Sequence, residues 1–250
     1  MNAGWRALAE ELARWRDAGR TASFWWRDDD AAAADAAVAR LVSLAARSGV
    51  PLALAVIPAR AEPALFARLP PQVAVLQHGA DHENRAGANE KKSEFPANEP
   101  PQSALARLAE ARARLARLAG ARALPVLAPP WNRIAPALVA RLAAAGFRAL
   151  SRYGARRAPF AAPGLREVNA HVDLVDWRGS RRFVGEARAL GALVAHLAAR
   201  RAGAAQADEP TGLLTHHAVH EPAAWAFVER LFDATREAGA RWLDAAELFS

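Results

Sequence analysis

Histidines and carboxylates, the side chains able to hold a metal and move protons, are unevenly placed along the chain. Asp28, Asp29 and Asp30 end the apolar run FWWRDDD, and His78 and His82 stand four apart in QHGADHEN. His216, His217 and His220 follow another apolar run, so five of the seven histidines fall in two clusters. On a helical turn, a spacing of four sets both imidazoles on one side, within reach of a single cation. Two His and one carboxylate leave metal positions open for water and substrate, the arrangement a hydrolytic metal needs. A neighbouring carboxylate, not bound to the metal, can accept a proton from that water, and the cation offsets the repulsion between the two. NAHVDLVDWRG adds Asp173, Asp176 and Trp177. An Asp bonded to a histidine at a strand end raises its pKa, so that it can donate a proton to a leaving amine. Together these groups suit metal-assisted amide or ester hydrolysis.

The composition narrows the choices. No cysteine is present, so disulfides and thiolate zinc sites are excluded, and a metal must be held by His and carboxylates. The net charge is +7, yet Lys91 and Lys92 are the only lysines. The positive charge is therefore Arg scattered through Ala- and Leu-rich helices, with no recognisable DNA- or RNA-binding module, and no specific nucleic-acid partner is expected. No run approaches the roughly 20 apolar residues that span a bilayer. MNAGWRALAEELARWRDAGR mixes charge into a helical pattern and lacks the apolar core of a signal peptide, so the expectation is a soluble, cytoplasmic protein.

These residues must be positioned by a regular scaffold. TASFWW reads as a buried strand ending at the aspartates, 31–49 as a helix stopped by Gly49, VPLALAVIPA and QVAVLQHG as further strands, and 101–120 as a long helix. ALPVLAPPW is a strand broken by Pro129 and Pro130, and TGLLTHHAVH a strand running into a turn. Strands alternate with helices along the chain, with no repeat or linker, predicting one α/β domain over 1–250 with a parallel sheet. Residues 79–100 hold little periodicity, and a loop of that length is a substrate-contacting lid or a solvated segment. Polar groups gather at the C-terminal ends of four predicted strands, the face where barrel enzymes build their sites.

The order RDDD, HGADH, APPW, DLVDW and LTH resembles the motifs of the NodB-like polysaccharide deacetylases, carbohydrate esterase family 4. The resemblance spans residues 27–216 and implies a distorted (β/α)7 barrel. It implies Asp28 as catalytic base, and Asp29, His78 and His82 as ligands of a divalent ion, zinc above all. It also implies Trp131 as an oxyanion and pocket residue, Asp176 as the partner of His216, His216 as general acid, and Trp177 as a wall of the substrate cleft, with Arg133 beside it. The implied reaction is N-deacetylation of an acetylated amino-sugar compound, the partner being a saccharide or small molecule. Ala128 stands where the family has the Arg that braces the base, and Arg133, Arg27 or Arg152 could serve instead. Gly79 replaces Ser or Thr, Asp30 replaces Gly, and His217 replaces Asp. Asp30 before an Ala-rich helix is expected to be its N-cap, and His220 to cap a turn or support the site. Two alternatives remain: a C–N hydrolase of a non-sugar amide, and a catalytically silent glycan-binding barrel.

Overall fold

Strands are short and apolar where the alternation places them, and the computed structural model, which describes residues 2–250, arranges them around one axis. The strands are β1 (Ser23–Ala31), β2 (Ala53–Val56), β3 (Ala74–His78), β4 (Ala123–Ala128), β5 (Ala149–Leu150), β6 (Phe160–Ala162), β7 (Leu165–Glu167), β8 (Val172–Asp173), β9 (Thr211–Thr215) and β10 (Arg241–Trp242). The helices are α1 (Ala3–Asp17), α2 (Ala36–Ser48), α3 (Pro63–Arg68), α4 (Pro101–Ala119), α5 (Pro136–Leu142), α6 (Glu186–Arg201), α7 (Pro222–Glu237) and α8 (Ala245–Leu248). No helix among the described residues is long and apolar enough to cross a membrane.

The sheet runs β6-β7-β5-β4-β3-β2-β1-β9-β8, with β10 joined to the start of β1, and only the β6–β7 pair is antiparallel. The segment 165–173 closes the circle: its first part pairs with β5, its last part pairs with β9, and a Tyr153–Ala170 bridge lies between. With β7 and β8 counted as one interrupted stave, and with β6 and β10, which each pair with only one strand, left out, seven staves remain, the distorted (β/α)7 barrel.

Period-two alternation divides each strand between two cores. Trp25, Ala53, Ala55, Leu76, Val126, Ala128 and Ala149 point inward, and small alanines keep the barrel narrow enough for Trp25 to fill it. Phe249 closes its floor, edge-on to Trp25 at 5.5 Å between ring centroids. Phe24, Trp26, Leu54 and Val75 point outward and bury against helices α1, α2, α6 and α7. Two sequence expectations change here. β1 runs through all three aspartates to Ala31, because Asp28 and Asp29 find buried partners. The cap of α2 is Asp35, whose Oδ1 accepts the Val38 N–H at 2.8 Å, and Asp30 lies five residues earlier in the chain.

Candidate active site

The three aspartates leave β1 in three directions. Asp28 points outward with Trp26, into the layer between sheet and helices. Its carboxylate accepts the Thr215 hydroxyl (2.6 Å), the His217 backbone N–H (3.1 Å) and the His217 ring Nδ1. Burial opposes its charge, but His217 outweighs that and holds the carboxyl below its usual range, while Asp28 in turn raises His217. Asp29 points inward, where Arg27 Nε lies 2.9 Å from Oδ1 and an Arg27 Nη2 donates to Oδ2 at 3.0 Å. Asp30 follows a break in the β1–β2 register between Asp28 and Ala31 and has φ of 73°. That bulge returns its side chain toward the barrel mouth.

Here the expected arrangement is corrected. His78 and His82 face Asp30, with Nε2 atoms 3.1 and 3.3 Å from Oδ1, where Asp29 had been expected. Asp28, expected at the site, is turned away from it by strand alternation. The histidines are not on a helical turn either: His78 ends β3, and Gly79 (φ 63°) and His82 (φ 61°) carry the chain through a tight loop.

The donor set fits a divalent cation. His78 Nδ1 contacts the Ala128 carbonyl at 3.0 Å. A carbonyl only accepts, so Nδ1 carries a proton; against burial, the Asp29 and Asp30 charges raise the His78 pKa, and in the neutral ring that a metal binds Nε2 presents its lone pair to Asp30. Asp30 Oδ1 is buried with no hydrogen-bond partner. Lone pairs converging on an unsatisfied carboxylate oxygen are reconciled by a cation, and the three side chains offer ligand atoms within 4.8 Å of one another.

Glu94, from the long loop, holds the loop that carries His82. Its carboxylate accepts the N–H groups of Ala80 (2.8 Å), Asp81 (3.2 Å) and His82 (3.2 Å), although burial pushes its pKa up. A Cβ at Gly79 would lie 2.0 Å from Glu94 Oε2, so glycine at this position and the buried Glu94 require one another. Residues 79–100 therefore include a positioning element, which polar composition alone did not reveal.

Arg27 is wholly buried, and its Nη donors are met by Asp29 Oδ2 (3.0 Å), the Ser151 carbonyl (3.0 Å) and hydroxyl (2.7 Å), and Asn132 Oδ1 (2.7 Å), while Nε makes an ion-pair contact with Asp29 Oδ1 without hydrogen-bond geometry. Arg152 instead pairs with Glu167, and Arg133 donates to the Lys92 carbonyl at 2.9 Å. The brace absent at Ala128 thus comes from β1 itself, two residues before the carboxylate it holds. Alternation within one strand was the available signal.

On the opposite side of the mouth, His216 Nδ1 lies 3.7 Å from Asp173 Oδ1, a charge-pair distance too long for a hydrogen bond. Asp173 also accepts Trp177 Nε1 at 2.8 Å, and Trp177 stands edge-on to the His216 ring at 4.8 Å. Burial raises the Asp173 pKa, with the Asp29 charge adding to it. Asp176, expected beside His216, does not reach it. Its Oδ2 accepts the Ser180 N–H (3.3 Å), and its Oδ1 lies 3.5 Å from Arg188. Trp131 and Asn132 both adopt positive φ, which sets the Trp131 ring 4.5 Å from His82. Trp131, Arg133, Asp173, Asp176 and Trp177 line one cleft of about 630 Å³. His220 Nε2 accepts the His216 N–H at 3.4 Å.

A second cluster, His171, His196 and Glu209, has the composition of a metal site but not its chemistry. The Gly212 N–H donates to His171 Nδ1 at 2.9 Å, so the ring proton sits on Nε2 and faces Glu209 at 3.3 Å. With no lone pair on Nε2, this is a polar brace at the start of β9.

No family model matches the sequence, and no curated protein does. Solved structures match over nearly the whole chain. A family 4 acetyl xylan esterase from Clostridium thermocellum, in complex with a cobalt ion, shares 16% identity, with 91% of this chain and 90% of that one covered and a TM-score of 0.56. A family 4 esterase from Streptococcus mutans gives 14%, 94%, 91% and 0.56, in the same order. A family 4 carbohydrate esterase from Streptomyces lividans, in complex with acetate, gives 13%, 88%, 89% and 0.53.

Proposed function

From a chain with the fold of the family 4 polysaccharide deacetylases, we propose a metal-dependent hydrolase that removes the acetyl group from an N-acetylated amino-sugar compound. The observation that carries this reading is the convergence of His78 and His82 on the unsatisfied Oδ1 of Asp30, beside an Asp29 clamped by Arg27. Asp30, His78 and His82 would hold a divalent ion, Zn²⁺ by preference for a tetrahedral N₂O set, supplying Lewis acidity and easing deprotonation of water.

Asp29 is the base. Its carboxylate takes one proton from the attacking water, and Arg27 fixes its orientation. His216 is the acid. It donates a proton to the amide nitrogen as the C–N bond breaks, giving acetate and a free amine, with Asp173 standing 3.7 Å from its Nδ1. Trp131 and Trp177 offer flat indole faces to the sugar ring. Arg27, beside Asp29 on β1, supports a working site over a silent barrel, because it can brace the base in place of the Arg missing at Ala128.

The test is acetate release from N-acetylated chitooligosaccharides. Activity should vanish after chelation, return with Zn²⁺, and fall in the Asp29→Asn protein with its metal content retained. An enzyme equally active after chelation would overturn the reading, and turnover of cyclic amides without acetate release would favour a non-sugar amide.

A further inference from the structure

The cleft beside the aspartates is markedly cationic. Lys92, Arg133, Arg178, Arg181 and Arg188 line it, against Asp173 and Asp176. Arg188 is offset by Asp176, but none of Lys92, Arg133, Arg178 and Arg181 has a carboxylate within ion-pair distance among the described residues. These charges come from separate segments: the long loop, the end of β4, and the loop that follows β8.

Asp176 builds the last of these. Its backbone carbonyl accepts the N–H groups of Gly179 (3.2 Å) and Arg181 (2.9 Å), and its side chain accepts that of Ser180. A Cβ at Gly179 would lie 2.4 Å from Asp176 Oδ2, and Arg181 is held at φ of 56°, a costly conformation for a side chain of its size. The loop is wound tightly on Asp176, through its backbone carbonyl and its side chain, with Arg178 and Arg181 both on the cleft wall.

Resting on the N-deacetylase reading, we propose that the substrate carries a phosphate ester or diphosphate on its acetylated amino sugar, and that Arg178 and Arg181 receive the phosphate while the sugar lies at Trp131 and Trp177. Guanidinium forks match phosphate oxygens in geometry and charge. A neutral glycan would leave these exposed cations to solvent, with no charged partner on the substrate.

Calorimetric titration of the Zn²⁺-loaded Asp29→Asn protein with N-acetylglucosamine 1-phosphate and with N-acetylglucosamine tests this directly. Charge-assisted bonds predict at least about tenfold tighter binding of the phosphate, shrinking as salt rises from about 50 to about 500 mM. The preference should disappear with Arg178→Gln/Arg181→Gln and persist with Arg6→Gln/Arg16→Gln, which removes two charges from α1 instead. A melting temperature for each protein separates lost binding from lost folding, and Arg181→Lys supplies a milder variant that should weaken the preference if the double variant unfolds. Uridine diphosphate and polyprenyl diphosphate derivatives of the sugar distinguish nucleotide from lipid carriers. Equal binding of charged and neutral sugars, or equal preference for the carboxylated N-acetylmuramic acid, overturns the phosphate assignment. Acetate released equally from both sugars would leave a deacetylase without a phosphate site. Phosphate-selective binding without acetate release from any sugar would keep the phosphate site and sink the deacetylase.

Discussion

Asp28 and Asp29 are adjacent in the chain and sit on opposite sides of one strand: Asp28 faces outward onto His217 and Thr215, and Asp29 faces into the barrel mouth onto Arg27. Two carboxylates that look interchangeable in sequence therefore have different surroundings, and substitutions at them should fail in different ways.

Asp29→Asn is expected to lower kcat by about 10²–10⁴-fold, the range for loss of a general base, while Zn²⁺ binding persists. Asp30→Ala should lose the metal. Asp28→Asn should instead destabilise the fold, because His217 is left buried beside a neutral partner, at a cost of about 3 kcal/mol. Metal content, kcat and urea midpoints of the three proteins check the division. Loss of metal in Asp29→Asn would reverse it.

Arg27→Met removes the cation that holds Asp29. Breaking a buried ion pair by deleting one partner costs about 3–5 kcal/mol. Asn132 Oδ1 and the Ser151 groups also lose their donors, so Arg27→Lys, with one ammonium in place of a fork, is expected to rescue only part of the stability and activity. Full activity in Arg27→Lys would deny the fork a role.

Glu94→Ala should leave three N–H groups of the His82 loop without an acceptor and weaken Zn²⁺ binding by about 10–100-fold, as removal of a support behind metal ligands does. Gly79→Ser should destabilise through both its positive φ and its collision with Glu94. Isothermal metal titration and thermal melts measure the two effects, and Zn²⁺ affinity unchanged in Glu94→Ala would refute the positioning role.

Acid should destabilise the protein through two partly buried imidazoles. Burial pushes His220 down to about 4, with His216 and His217 adding against the opposing Asp28 charge. Burial likewise takes His196 down to about 3, helped by His171 and Arg200. Each ordinarily titrates near 6.5. As pH falls from there, the unfolded chain binds protons that the folded chain refuses, so stability declines until the folded values are passed. His217 has the opposite sign: its raised pKa gives stability that is full below its ordinary value and lost as pH rises through the folded one. Urea midpoints of the metal-free protein should therefore fall between about pH 6.5 and 4. That slope should flatten in His196→Gln/His220→Gln, and a slope unchanged in this variant would place the acid sensitivity elsewhere.

The alternating α/β scaffold, the gathering of polar groups at strand ends and the residue types of the site were all legible in the order of residues. Strand period, helix punctuation and the rarity of His in an Ala- and Arg-rich chain are local properties. The pairing of His78 with His82 was legible from spacing, although a loop rather than a helix brings them together. Even the Arg27–Asp29 pair was present as two inward positions on one strand. Register came only with the packed fold. A break in β1–β2 pairing turns Asp30 toward His78 and His82, the interrupted stave 165–173 brings Asp173 rather than Asp176 to His216, and Glu94 reaches back across twelve residues to hold His82. A bulge depends on the neighbouring strand and a charge pair on which loop ends beside it, so neither is written in the order of residues along the chain.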